Sequence, residues 1–446
     1  MKGTTGRLPA RGTEIVTVSD TRENEANANA SLSDATSAFA RIGVLSFGGP
    51  AAQIALMHRV LVEEKNWLTE RQYLNALSFC MLLPGPEAMQ LATYAGWRLH
   101  GVVGGLIAGL LFVLPGAAVM LVLAIIYALV GDVPLVSALF LGIKAAVLVI
   151  VIEALLRVAR KALHLPQHWV IAALAFVGIF FLNLPFPLII FAAALYGFFT
   201  GSEEADETDQ VSGRVPTMMT MRTLVLWLAI WWLPLLAIGS ISGQPILSEL
   251  GQFFSKLAVV TFGGAYAVLA YMAQDVVNQY GWLSAGAMMD GLGLAETTPG
   301  PLILVTEFVG FLSAYGEGGI ALGIAGAAVT LWATFAPCFL WIFAGAPYID
   351  WIGAQPRLRG ALAAITAAVV GVILNLSIWF ALHVAFTDVT AQRYGPVTLW
   401  QPDLSSLDWR VIVLAILSGV LLLRMHWDIL RVLAIAAAGG LVLSYV

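Results

Sequence analysis

An apolar stretch is interrupted at its centre by Pro84-Gly85-Pro86, and the same interruption returns as Pro299-Gly300-Pro301 in a second apolar stretch. Proline removes a backbone donor and clashes with the preceding helical turn, so neither stretch reads as one continuous helix. The two breaks are 215 residues apart (299 − 84 = 215), and that register holds without gaps from Phe39 to Pro86. In it Phe47-Gly48-Gly49 falls on Phe262-Gly263-Gly264 and Trp67-Leu68 on Trp282-Leu283. Phe39, Val44, Ala52, Ala55, Met57, Val62 and Leu77 also meet identical residues. Biased composition yields scattered alanine and valine matches, not three such motifs in one register, so the chain reads as an internal duplication.

The surroundings of these breaks set the solvent. Of 446 residues, 60% are hydrophobic and 11% charged, and the mean hydropathy is +0.87. A soluble domain carries about a quarter charged residues, so long apolar segments here imply membrane helices. The net charge of −5 argues against nucleic acid as a partner. Cys80 and Cys338 fit no metal spacing or disulfide framework and read as small core residues. No P-loop, GxGxxG or Ser-His-Asp context appears, so neither a cofactor, a metal nor an enzymatic activity is expected.

The polar segment 1–37 reads as a disordered cytoplasmic tail and 38–200 as the first transporter repeat. The acidic stretch 201–222 reads as a linker, and 223–446 as the second repeat. That second repeat opens with an unmatched apolar helix over 223–241, and one additional crossing turns it over. Loop charges agree with the inversion. Arg59, Lys65 and Arg71 lie in a connection whose mate, 273–286, holds no Lys or Arg. Arg157, Arg160 and Lys161 contrast with a mate, 387–408, that holds Arg393 among Asp388, Asp403 and Asp408. At 131–134 there is only Asp132, whereas the mate holds Arg357 and Arg359. By the positive-inside rule, mates face opposite sides. Because 58–71 and 157–161 are both basic, one intervening segment cannot cross, and 72–97 is predicted to be a re-entrant hairpin. Phe39–Leu61, broken at Phe47-Gly48-Gly49-Pro50, is a second candidate. The expected fold is an all-α polytopic membrane protein of two inverted repeats, with about nine crossings and four re-entrant elements, or about thirteen segments if all span.

Irregular backbone at membrane depth survives only where it is buried in protein or lines a cavity. Paired broken segments in inverted halves therefore point to a midplane site. Pro84, Gly85, Pro86, Pro299, Gly300 and Pro301 would start half-helices whose free N–H groups favour an anion. Gly48, Gly49, Gly263 and Gly264 would allow close backbone approach, or else tight helix packing. Arg41 and Lys256 share one repeat position and could converge on a dianion, or reach headgroup phosphates instead. Lys144 lies inside an apolar segment and is a candidate for ligand binding or for pairing with a buried acid. Glu87 and Glu296 flank the breaks without charged mates and are candidates for proton coupling. Glu307 is a weaker one, and Glu87 could equally complement a helix dipole.

Phe47-Gly48-Gly49-Pro50 and Leu82-Leu83-Pro84-Gly85-Pro86-Glu87-Ala88-Met89-Gln90 resemble the first-half signatures of the chromate ion transporter family. Thr261-Phe262-Gly263-Gly264-Ala265-Tyr266 and Thr297-Thr298-Pro299-Gly300-Pro301-Leu302 resemble its second-half signatures, with Phe311 standing where a Gly-Tyr pair often follows. The resemblance covers nearly all of the chain after the tail, in the long two-domain form. It implies export of chromate across a bacterial inner membrane, driven by the membrane potential or a proton gradient. Sulfate or another tetrahedral oxyanion is the alternative substrate, and a membrane enzyme or sensor the remote one. The expected partners are the oxyanion, membrane lipid and, as an open alternative, a second copy of the chain.

Overall fold

The computed structural model describes residues 30–131, 133–201, 217–262, 264–353 and 355–445. Most of the expected tail and the linker over 202–216 lie outside the described residues. The first helix begins at Leu32, inside the segment assigned to the tail, and is capped by Ser31, whose hydroxyl accepts from the Asp34 amide.

The first repeat contains α1 (Leu32–Leu45), α2 (Gly49–His58), α3 (Glu70–Leu82), α4 (Glu87–Val130), α5 (Pro134–Ala162), α6 (Pro166–Phe180) and α7 (Phe186–Thr200). Helix α8 (Thr217–Ser242) joins it to the second repeat. There follow α9 (Pro245–Val260), α10 (Ala265–Gln274), α11 (Ala285–Thr297), α12 (Val305–Gly345), the short α13 (Ile349–Gly353) and α14 (Pro356–Ala385). A hairpin of β1 (Val389–Tyr394) and β2 (Val397–Pro402) precedes α15 (Trp409–Gly419) and α16 (Ile429–Leu443).

Local chemistry repeats with the register. Thr69 caps α3 in a capping box with Gln72, and its mate Ser284 caps α11. Helices α2 and α10 each run into a π-helical turn, Arg59–Glu64 and Asp275–Gln279. Among the described residues five helices are long and apolar enough to cross a membrane, Glu87–Val130 among them. That helix is in truth two: His100 and Gly101 leave helical geometry, and Gly101 takes φ 61°. Gly96 then packs against Gly104, eight positions on (104 − 96 = 8), which only a reversal of direction allows. Gly318 and Gly319 do the same in α12, bringing Gly310 against Gly326. We call the parts α4a (87–99), α4b (102–130), α12a (305–317) and α12b (320–345).

The broken segments fold back on themselves. The rings of Phe79 on α3 and Tyr94 on α4a are 6.3 Å apart, whereas a continuous helix would separate them by roughly 20 Å. Across the mate break, Gly291 on α11 packs on the Phe308 ring of α12a. Arg41 on α1 reaches Glu64, 23 residues on, at 2.9 Å. Phe253 on α9 touches the rings of Tyr271, Tyr280 and Trp282 beyond the next break. All four broken segments, α1–α2, α3–α4a, α9–α10 and α11–α12a, are thus re-entrant. Among the described residues nine helical segments run between the two ends: α4b, α5, α6, α7, α8, α12b, α14, α15 with its π-helical extension, and α16.

The repeats are opposed and interlocked. Helices α6 and α7 of the first repeat pack on α14 of the second, and α15 and α16 of the second pack on α5 of the first. Gly197 on α7 meets Gly360 on α14, while Gly142 on α5 meets Ala436 on α16. Small residues let these backbones approach closely, which supplies helix association where lipid offers no hydrophobic drive. The loop before α6 lies beside Pro356 and Arg359. The β-hairpin is tied to the other end of α6 by Thr398 N–H donating to Phe181 O at 2.7 Å. Mate loops therefore sit at opposite ends. Tyr348 bonds Thr220, and α13, which leads into Pro356, packs on α3 and gathers it to the same end as Pro356. That end collects Arg59, Lys65, Arg71, Arg157, Arg160, Lys161, Arg357 and Arg359; the other carries Asp388, Asp403 and Asp408 with Arg393 and with Arg410, which is paired to Asp408. Large apolar side chains such as Val103, Leu114, Trp169, Leu174, Phe191 and Leu236 cover the outside, the surface of a multi-pass membrane protein.

Both native cysteines are buried, so introduced thiols report topology against a low background. Glu63→Cys and its mate Asn278→Cys are exposed positions on equivalent turns. An impermeant thiol reagent should label them from opposite faces of the membrane. Labelling of both from one face would refute the inversion.

Candidate functional site

The four breaks meet at the centre, and each Pro-Gly-Pro is bonded to the other repeat. Gly85 N–H donates to Thr261 O at 2.8 Å, and Gly300 N–H donates to Ser46 O at 2.9 Å. The two bonds are mates in the register (85 + 215 = 300; 46 + 215 = 261). Gly85 holds φ 120° and Gly300 φ 85°, a backbone region that L side chains rarely adopt. Ser46 and Thr261 fold their hydroxyls onto Ile42 O and Leu257 O, both at 2.6 Å, and each gives its own carbonyl, at the end of its helix, to the opposite repeat.

Two buried glutamines complete the frame. Gln53 Nε2 donates to Gly300 O at 2.6 Å and to Ser46 O at 3.3 Å. Gln90 Nε2 donates to Pro84 O at 2.7 Å. The Oε1 atom of each is buried without a hydrogen-bond partner, an unusual condition for an amide this deep. Helix α4b crosses the second break where Gly116 meets Pro299 O, and α12b crosses the first where Cys338 lies against Gly85. Cys338 occupies the position equivalent to Gly116 (both lie one residue after an in-helix proline, Pro115 and Pro337). The N-termini of α2, α4a, α10 and α12a converge here, each presenting the positive end of a helix dipole.

The predicted residues divide into central and peripheral groups. Pro84, Gly85, Pro86, Pro299, Gly300 and Pro301 lie at the meeting point, and Gly48, Gly49 and Gly264 at the flanking breaks. Gly263 falls outside the described residues. Arg41 and Lys256 are not brought together. Arg41 is 55% exposed and paired with Glu64, while Lys256 lies 5.6 Å from the ring centre of Tyr271 within electrostatic reach of Asp275. Each sits six residues before its break, about 9 Å back along its own helix, and the inversion carries them to opposite sides of the centre.

Glu296 is buried and accepts from Tyr266 Oη at 2.8 Å, with Arg157 and Glu153 in electrostatic reach. Glu87, half-buried at the start of α4a, lies in reach of Lys161. Both acids thus face the basic end of the molecule. There a cavity of about 520 Å³ is lined by Glu153, Arg157, Arg160, Lys161 and His426 among others. Lys144 pairs with Asp290 at 3.3 Å, resolving its partner as a buried acid of the other repeat. Gln53, Gln90, Ser46, Thr261, Tyr266 and Asp290 escaped the sequence reading as site residues. Polar side chains in apolar runs were the available signal for the first four; nothing local marked the pairing of Asp290. Among the described residues no group of three or more His, Cys, Asp or Glu side chains could hold a metal ion.

Comparison with known proteins accords with this arrangement. The profile of the chromate transporter family matches residues 34–198 and 248–443, one block in each repeat. The chain is 28% identical over 408 residues to a probable chromate transport protein of Synechococcus elongatus, covering 88% of this chain and 95% of that one. It is 30% identical over 363 residues to a chromate transport protein of Cupriavidus metallidurans, covering 81% and 85% respectively. It is 31% identical over 180 residues to the uncharacterized transporter YwrB of Bacillus subtilis, spanning 86% of that protein with 37% of this chain, about the share of one repeat. No solved structure matches the chain. With both repeats matched and the family's long members aligned over most of their length, the chain belongs to the chromate transporter family.

Proposed function

We propose that the protein is a secondary active transporter that expels chromate from the cytoplasm across a bacterial inner membrane. The observation that carries this reading is the pair of Pro-Gly-Pro breaks cross-bonded at the centre of two inverted repeats. Half-helix N-termini meeting at membrane depth suit a small anion, because their N–H groups and dipoles favour negative charge without a dedicated cation. Arg41 and Lys256 then serve the two rims rather than the binding centre.

The basic end, placed in the cytoplasm by the positive-inside rule, supports loading from that side. The cavity between Arg157, Arg160, Lys161 and His426 concentrates anions at a mouth that leads toward Glu87 and Glu296. Export of a dianion moves two negative charges out of a negative interior. At about 2.3 kcal/mol per charge per 100 mV, the membrane potential alone drives that step. Backbone amides recognise oxygen geometry and charge, so sulfate is the competitor to test.

Everted membrane vesicles containing the protein should accumulate chromate when energised, and excess sulfate measures selectivity. No chromate accumulation would overturn the assignment, and sulfate accumulation in its place would transfer it to that anion. Gly85→Val and Gly300→Val each force a β-branched side chain into a positive-φ position, and a side chain at 85 also collides with Gln90 and Cys338. Either change should lower chromate accumulation at least about tenfold, at the scale of a lost preorganised donor, with the protein still in the membrane. Wild-type transport by both variants would remove the breaks from the site. The double variant Arg160→Gln, Lys161→Gln should raise the half-saturating chromate concentration several-fold at low salt and less at high salt, as expected of steering. An unchanged, salt-independent value would exclude the cavity as the entrance.

A further inference from the structure

Three side chains the transport reading leaves unused form a cluster toward the end opposite the basic loops. Asp290 on α11 is 4% exposed. Its Oδ2 accepts from Tyr127 Oη at 2.8 Å and faces Lys144 Nζ at 3.3 Å, while its Oδ1 is buried with no hydrogen-bond partner. Tyr127 and Lys144 stand on α4b and α5 of the first repeat, and Asp290 stands on the re-entrant hairpin of the second. The cluster is therefore an ionic tie between the repeats, on the outer flank of a broken helix.

Among the described residues the tie exists at one end only. Register places Asn75 opposite Asp290 (75 + 215 = 290), and alignment of the prolines that open α5 and α14 places Thr366 opposite Lys144 (356 − 134 = 222; 144 + 222 = 366). Asn75 and Thr366 carry no charge, and Thr366 Oγ1 donates within its own helix to Leu362 O. Inverted repeats alternate access by exchanging conformations about a fixed centre. A buried ion pair present at one gate without a counterpart at the other lets protonation open that gate selectively.

We propose that Asp290 is the proton-binding carboxylate of the transport cycle and that its pair with Lys144 latches the outer gate. The inference rests on the anion-export reading above. A proton from the outer aqueous phase adds to Asp290, forming one O–H bond and cancelling the carboxylate charge. The Lys144 ammonium keeps its proton, loses its partner, and is left as a counter-charge along the path of the departing dianion. When the outer gate recloses and the hairpin exposes Asp290 inward, the proton leaves to the cytoplasm and the pair reforms. The balance is one proton in for each dianion out. Lys144 from α5 and Tyr127 from α4b are the groups that act on Asp290. Of the other elements packed on α11, α12 carries Glu307 and Glu317, α14 carries Arg357, Arg359 and His383, whose Nδ1 meets Trp379 O, and α16 carries Arg431.

The test uses the full chain in proteoliposomes loaded with a pH-reporting dye, with chromate followed in two modes: exchange against chromate, and net movement driven by a pH gradient. Wild-type protein should show both, with proton movement opposite to chromate. Asp290→Asn should lose net pH-driven movement at least tenfold, and with it the proton signal, while exchange remains measurable. Wild-type chromate flux without proton movement would overturn the inference, as would Asp290→Asn with normal pH-driven flux. If Asp290→Asn abolishes exchange too, Asp290→Glu decides. Return of exchange together with proton movement supports the latch; return of exchange alone, or of neither, overturns it. Failure of wild-type protein to move chromate in either mode is a different result, and overturns the export reading with the inference that rests on it.

Discussion

Two hydrogen bonds hold the centre together: Gly85 N–H to Thr261 O, and Gly300 N–H to Ser46 O. In hydrocarbon an amide without a partner costs about 4–8 kcal/mol, so a helix broken at membrane depth must find its acceptor within the protein. Each repeat breaks its own helices and takes its missing acceptor from the other. Neither Pro-Gly-Pro could persist in an isolated repeat without some substitute for that carbonyl. The exchange of α6–α7 and α15–α16 between the repeats enforces the same dependence through packing. A duplicated chain thereby becomes one body with an irregular, closed centre, where Ser46, Gln53, Gln90, Thr261 and Thr298 are all buried.

Much of this architecture was legible in the sequence because its devices are local. Proline pairs break helices wherever they occur, matched glycines repeat at a fixed register, and basic loops mark a side of the membrane. These signals led to the re-entrant hairpins and the opposed halves. In sequence the reversals at His100–Gly101 and Gly318–Gly319 look like the edges of apolar segments, which is what a tight reversal between two apolar helices resembles. The cations were harder. Arg41 and Lys256 share a register position, but inversion sends equivalent side chains away from each other about the centre rather than toward it. What repeats in sequence can converge in space only when it lies on or near the axis, as Gly85 and Gly300 do. The tie between Lys144 and Asp290 joins different elements of different repeats, and no spacing announces it.

The asymmetries carry the functional content. A perfectly symmetric pair of gates would equilibrate its substrate without preferring a direction of loading. Here Gln53 serves one break and Gln90 the other by different routes, Glu87 and Glu296 have no acidic mates, and among the described residues the Lys144–Asp290 pair guards one end alone. The basic cavity lies at the opposite end. Together these features give the molecule an anion-collecting side and a side closed by charge, while the shared centre remains a matter of backbone geometry.

The most direct test of a central path for a dianion is electrical. Proteoliposomes adsorbed to a solid-supported membrane, given a jump in chromate, report the charge that crosses with each anion when isotope uptake is measured in parallel. Carriage of a bare dianion through the helix breaks predicts a saturable current with at least two charges moved per chromate. Chromate uptake that is electrically silent would contradict the account, because the anion would then cross neutralised by partners that the centre does not provide.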